Sequence, residues 1–169
     1  MTNKLIAVMS IILLSMTASA ADAPAWGGAW SLSDGKKGDA AREKAIEDAT
    51  ADMGAFKRRT ARSRLGDMLA PPKQLTLKLN GSEVEITRNG KTMKIPADGS
   101  SKTVQSDNGS ATASAENKGD RLVVKVDGER GKRQTIYERK GSTLMMTVVL
   151  NAKLLSKPLR VSSIYTASK

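Results

Sequence analysis

The run Gln74-Leu75-Thr76-Leu77-Lys78-Leu79-Asn80-Gly81-Ser82-Glu83-Val84-Glu85-Ile86-Thr87-Arg88-Asn89-Gly90-Lys91-Thr92-Met93-Lys94-Ile95 alternates apolar and polar side chains and is cut twice by Asn-Gly. A period of two puts one set of side chains on each face of an extended strand. Asn-Gly supplies the positive φ angles that a two-residue hairpin turn requires. The same alternation returns at Leu122, Val124 and Val126, and again at Leu144, Met146, Val148 and Leu150. Further turn signals stand at Asp98-Gly99, Asn108-Gly109, Lys118-Gly119-Asp120, Asp127-Gly128 and Lys140-Gly141. The spacing predicts strands near 74–80, 83–88, 91–95, 102–107, 110–116, 121–127, 132–139, 143–151 and 159–167. Paired with their sequence neighbours, they make an antiparallel meander of eight or nine strands over residues 73–169. A sheet that long accumulates twist and carries exposed edges, so it is expected to curl into a half-barrel or barrel.

Upstream of the meander the period changes to that of a helix. Ile46, Ala49, Met53 and Phe56 recur at steps of three and four, with acids Glu43, Glu47, Asp48 and Asp52 before a block of bases. That order complements the helix dipole. One amphipathic helix is expected over 39–66, with Asp39 as its N-cap and Gly66 before Pro71-Pro72 as its stop. Residues 21–38, rich in Gly, Ala and Ser, read as an extended arm. The fold class is therefore α+β, mainly β: one helix packed on or across the curled meander, the two forming one domain. Ser110 to Ala115 are all small, which either makes room for the helix and for tight curvature or widens a cavity.

Residues 1–20 read as a signal peptide. Lys4 precedes an apolar run of about a dozen residues and Ala18-Ser19-Ala20 offers the small side chains of a cleavage site. A spanning helix would need about 20 apolar residues. The expected location is periplasmic or secreted, of Gram-negative bacterial type, with no transmembrane anchor after cleavage. The chain has no Cys and no His, which removes disulfides, thiol catalysis, Ser–His pairs and most zinc chemistry. No phosphate-binding glycine loop is present, and Met145-Met146 would face opposite sides of a strand. No enzyme activity, cofactor or metal is expected.

The chain resembles the lipocalins, and the small secreted lipocalin-like proteins of bacteria in particular. Gly28-Ala29-Trp30 is similar to their G-x-W near the first strand, and Ile164-Tyr165-Thr166 is similar to the end of their last strand. The resemblance covers residues 27–33 and 74–167 and implies a structural role for Trp30, plugging one end of the barrel. A helix ahead of a curved meander also resembles the periplasmic lipoprotein carriers, whose half-barrels hold acyl chains.

Charge is the remaining global signal. The formal net charge is +11, and residues 118–169 hold twelve bases against four acids. One reading is a solvated, soluble surface; the other is attraction to an anionic partner. The function expected is non-enzymatic binding of an apolar or amphiphilic anionic ligand such as a lipid. Leu75, Leu77, Ile86, Val124, Met146 and Val148 are its candidate lining, and Lys57, Arg58, Arg59, Arg62 and Arg64 its basic rim. The alternative is a packed envelope protein that docks on an anionic surface or acidic protein. Nucleic acid is disfavoured as a partner, because base stacking needs exposed aromatics and the chain has one Phe, two Trp and two Tyr.

Overall fold

A computed structural model describes residues 23–106 and 109–168, so the signal peptide expected over 1–20 lies outside the described residues. The chain runs β1 (Gly28–Leu32), α1 (Gly35–Ala49), α2 (Ala55–Leu69), then β2 (Gln74–Asn80), β3 (Glu83–Arg88), β4 (Lys91–Pro96) and β5 (Asp98–Ser106). It continues with β6 (Gly109–Lys118), β7 (Arg121–Gly128), β8 (Gly131–Lys140), β9 (Thr143–Ala152) and β10 (Leu159–Ala167). All ten strands form one antiparallel sheet in the order β4-β3-β2-β1-β10-β9-β8-β7-β6-β5. β1 lies between β2 and β10, with Trp30 opposite both Leu75 and Ala167. The two edges approach one another: Asn117 N donates to Ala97 O at 3.3 Å, and Lys102 Nζ lies 3.5 Å from Glu83 Oε1. The sheet therefore curls into a nearly closed barrel.

Two expectations are corrected. The sheet has a tenth strand, β1, in the segment read as an arm, because only Trp30 and Leu32 carry its alternation. The single helix over 39–66 is two helices, and the first begins at Gly35 instead of Asp39. Thr50 ends α1: its hydroxyl donates to Ile46 O at 2.8 Å and Glu47 O at 3.2 Å, competing with continuation of the backbone ladder. The break resets the helical phase. Ala61, Leu65 and Leu69, four residues apart, form the buried stripe of α2, while Phe56 is 86% exposed. Gly38 is needed for close approach, since a Cβ there would sit 2.4 Å from the Asp34 carboxyl group. That carboxylate in turn accepts a bond from Ile164 N at 3.1 Å, fixing the start of α1 to β10.

Even-numbered side chains of β3, β7 and β9 and odd-numbered ones of β2, β6, β8 and β10 turn inward. The chain leaves the barrel after β1 and returns at β2, so both helices cover one end. That end holds the β3–β4 and β7–β8 turns. The opposite end is closed by Trp26 and Trp30, both buried. Trp26 Nε1 donates to Asn117 Oδ1 at 3.1 Å, and Trp30 Nε1 donates to Trp26 O at 3.2 Å.

Candidate functional site at the helix-covered mouth

The six residues expected as lining, Leu75, Leu77, Ile86, Val124, Met146 and Val148, all lie inside the barrel and are buried. Leu77, Val84, Ile95, Leu122, Tyr137 and Leu144 have no solvent contact at all. Below the mouth the barrel is thus filled by its own side chains. Ala113 and Ala115 on β6 leave the space their neighbours take.

The basic rim divides. Lys57, Arg59 and Arg64 are exposed on the outer face of α2. With Phe56, Thr60 and Ser63, the two arginines line a shallow groove of about 420 Å³. Arg58 and Arg62 instead staple the joint between the helices. Arg58 Nη2 donates to Ala51 O and Met53 O, each at 2.8 Å. Arg62 Nε donates to Thr50 Oγ1 at 3.1 Å, and its Nη2 reaches Glu47 Oε1 at 3.3 Å. They are structural donors.

Sequence reasoning passed over the group that carries the chemistry. Arg88 is the last residue of β3, opposite Leu75, and shares the inward face of Val84 and Ile86. Arg133 stands opposite Leu150 and shares the inward face of Thr135 and Tyr137 on β8. Both guanidinium groups are partly buried at the mouth. Arg88 Nη2 donates to the Tyr137 hydroxyl, but its Nε is out of water and has no partner. Arg133 Nη1 donates to Met68 O at 3.1 Å and its Nε to Thr135 Oγ1 at 3.4 Å. Neither arginine pairs with a carboxylate among the described residues.

The electrostatics reflect that arrangement. Tyr137 raises the pKa of Arg88 more than burial lowers it. Burial, and then repulsion from Arg88, lower Arg133 to about 10, so both remain charged at neutral pH. Burial raises the pKa of Tyr165, which stays a neutral donor; its hydroxyl bonds Pro72 O at 3.0 Å. Two like charges that repel one another while partly buried are unfavourable unless an anion joins them. Parity along β3 and β8 was the available signal. A polar residue continuing an inward-facing series is an interior residue.

No family model and no curated protein matches this chain. Solved structures do. An abundant heat soluble (SAHS) protein of Ramazzottius varieornatus superposes with a TM-score of 0.57 at 15% identity, over 86% of this chain and 96% of that one. A Schistosoma mansoni fatty acid binding protein in complex with arachidonic acid gives a TM-score of 0.53 at 14% identity, over 86% and 97%. Zebrafish ileal bile acid-binding protein complexed with cholic acid gives 0.52 at 13%, over 85% and 99%.

The chain shares their fold. It is a lipocalin-like barrel. At such identities the likeness shows the fold alone. Among the described residues no helix is long and apolar enough to cross a membrane.

Proposed function

We propose that this chain is a non-enzymatic binding protein whose barrel takes an apolar or amphiphilic anionic ligand such as a lipid. The observation that carries the reading is the pair Arg88 and Arg133 around Tyr137, cationic, half-dry and lacking a carboxylate. An anionic headgroup there would accept charge-assisted bonds from both guanidinium groups and from Tyr137, while its apolar part lies against the buried wall. Two neighbours of the same fold hold arachidonic acid and cholic acid, each an amphiphilic carboxylate. The chain acts as a mature protein from Ala21 onward in the periplasm or outside the cell. Fractionation of the native host followed by intact mass tests that location; a cytoplasmic, uncleaved chain would overturn it.

Native mass spectrometry of the protein purified from its own compartment tests the ligand. An anionic lipid retained by the wild type and lost with Arg88→Met and Arg133→Met supports the reading. The same lipid retained by both variants refutes it.

A second reading is favoured by one specific observation. The single Phe of the chain, Phe56, projects into solvent beside Lys57, Arg59 and Arg64. An aromatic ring among exposed cations suits an anionic lipid surface. Cosedimentation with anionic vesicles should fall steeply between low and physiological salt and fall again with Phe56→Ala. Binding that ignores both changes removes this reading.

A further inference from the structure

Three side chains at the mouth each keep a donor in reserve. Arg133 spends Nη1 on Met68 O at 3.1 Å and Nε on Thr135 Oγ1 at 3.4 Å, which leaves Nη2. Arg88 spends only Nη2, on the Tyr137 hydroxyl, which leaves Nη1 besides the sealed Nε. The Tyr137 hydroxyl accepts that bond, and none of the described residues accepts its proton.

The positive charge is equally unanswered. Arg88, Tyr137 and Tyr165 are the groups that act most strongly on Arg133, and the two tyrosines are those that act on Arg88. No carboxylate is among them. Asp34 and Arg42 act on Tyr165, but the Asp34 carboxylate is tied to Ile164 N and Arg42 is paired with Asp39. Asp67, beside Met68 on α2, is exposed.

Charge and donor number together select among anions. A carboxylate brings two oxygens and one charge, so one of the two partly buried cations stays uncompensated. A sulfate ester brings three terminal oxygens, still with one charge. A phosphate monoester brings three terminal oxygens and, at neutral pH, close to two charges. Leu77, Leu122 and Leu144 fill the barrel below, so recognition is concentrated at the headgroup.

We propose that the headgroup held by Arg88, Arg133 and Tyr137 is a phosphate monoester, bound as its dianion. The inference rests on the headgroup reading above and names the class of anion. A lipid phosphate and the phosphate ester of a small soluble alcohol share this chemistry.

The lack of His opens a clean pH window. No other side chain ordinarily titrates between pH 5 and pH 8, and both arginines stay cationic and Tyr165 neutral across it. The second ionisation of a phosphate monoester falls inside the window, at about pH 6, whereas a sulfate ester keeps one charge throughout. A pH dependence shown by the phosphate and not by the sulfate therefore reports the dianion.

Calorimetry on the wild type compares decyl phosphate, decyl sulfate, sodium decanoate and 1-decanol, all below micelle-forming concentrations. At pH 7.5 decyl phosphate should bind at least about tenfold more tightly than decyl sulfate or decanoate, as a second charge in a partly dry site demands. Its affinity should fall about tenfold by pH 5 while that of decyl sulfate holds. In Arg133→Met one cation remains, so the preference for phosphate over sulfate should shrink toward parity. Methyl phosphate identifies the source: binding as tight as that of decyl phosphate upholds the dianion on a soluble ester, and much weaker binding upholds it on a lipid.

Decyl phosphate and decyl sulfate bound equally at pH 7.5, both more tightly than decanol, overturns the phosphate assignment while the headgroup reading stands. So does a preference that ignores pH. No charged probe bound more tightly than decanol overturns both. The wild-type series needs no variant, so a poorly folding Arg133→Met leaves the test intact.

Discussion

The Arg88–Tyr137 contact can be taken apart by a double-mutant cycle in the empty protein. Tyr137→Phe deletes the acceptor and leaves Arg88 with Nη2 as well as Nε unpaired, beside a second cation. A hydrogen bond to a charged group contributes about 1.5–3 kcal/mol, so the variant should lose about that much stability. For a domain near 150 residues, that lowers Tm by roughly 3–12 °C. Arg88→Met with Tyr137→Phe removes both partners, the unsatisfied Nε and the repulsion with Arg133. The methionine occupies much of the volume of the arginine stem. The double variant should lie within about 1 kcal/mol of wild type, because deleting both members of a buried polar pair is nearly neutral.

The assay is urea unfolding followed by the fluorescence of Trp26 and Trp30, both buried, with the slope checked for constancy across the four proteins. A double variant as unstable as the sum of the singles would show no coupling. It would refute the assignment of Arg88 as a residue held for a ligand at the expense of stability. Recovery of stability together with loss of decanoate binding is the outcome expected.

Other perturbations have equally definite outcomes. Gly131 has φ 144°, and a Cβ there would lie 2.4 Å from Asn151 O, so Gly131→Ala should cost about 1–3 kcal/mol in urea unfolding and loosen the β7–β8 turn. Trp26→Ala opens the lower end and should cost about 3–5 kcal/mol, whereas Phe56→Ala should change stability by less than about 0.5 kcal/mol. Hydrogen bonds from Lys118 and Lys125 lower the Glu116 pKa from 4.5 to about 2. A depressed carboxylate contributes its stability fully above the unfolded value and loses it as pH falls through the folded one. Glu116→Gln should therefore lower stability slightly at pH 7 and flatten the acid limb between about pH 4.5 and pH 2, so that variant and wild type converge at the acid end. An unaltered acid limb would count against that pairing.

Most of the strands from Gln74 onward were legible because one face meets the core, so burial favours alternation between glycine turns; β5, with no buried residue over 98–105, was legible from the turns that bound it. β1 was not: five residues with two inward side chains carry too short a pattern, and its place between β2 and β10 is decided by pairing with strands far along the chain. The helix pair was half legible. Acids followed by bases describe a helix dipole whether the helix is whole or broken, and the break depends on where the Thr50 hydroxyl bonds. Phe56 was misplaced for that reason, since its apolar step fits only an unbroken helix.

Interior walls could be read from parity, and the lining residues sit inside. The charged site was legible only in part. Arg88 continues Val84 and Ile86, and Arg133 leads Thr135 and Tyr137, so both were marked as inward by the rule that placed their neighbours. What the sequence did not contain was their meeting. β3 and β8 are well separated in the sheet order, and only closure of the barrel brings Arg88 to Tyr137. The capping of Met68 O by Arg133 likewise depends on the path of α2 over the mouth.

The most direct measurement is calorimetric titration of decanoate into the wild type and into Arg88→Met, with decanol alongside. The proposed site predicts saturable one-to-one binding of decanoate, weakened at least about tenfold by the substitution, and markedly poorer binding of decanol. Equal affinities for the two probes, or an Arg88→Met protein that binds decanoate as tightly as the wild type, would contradict it.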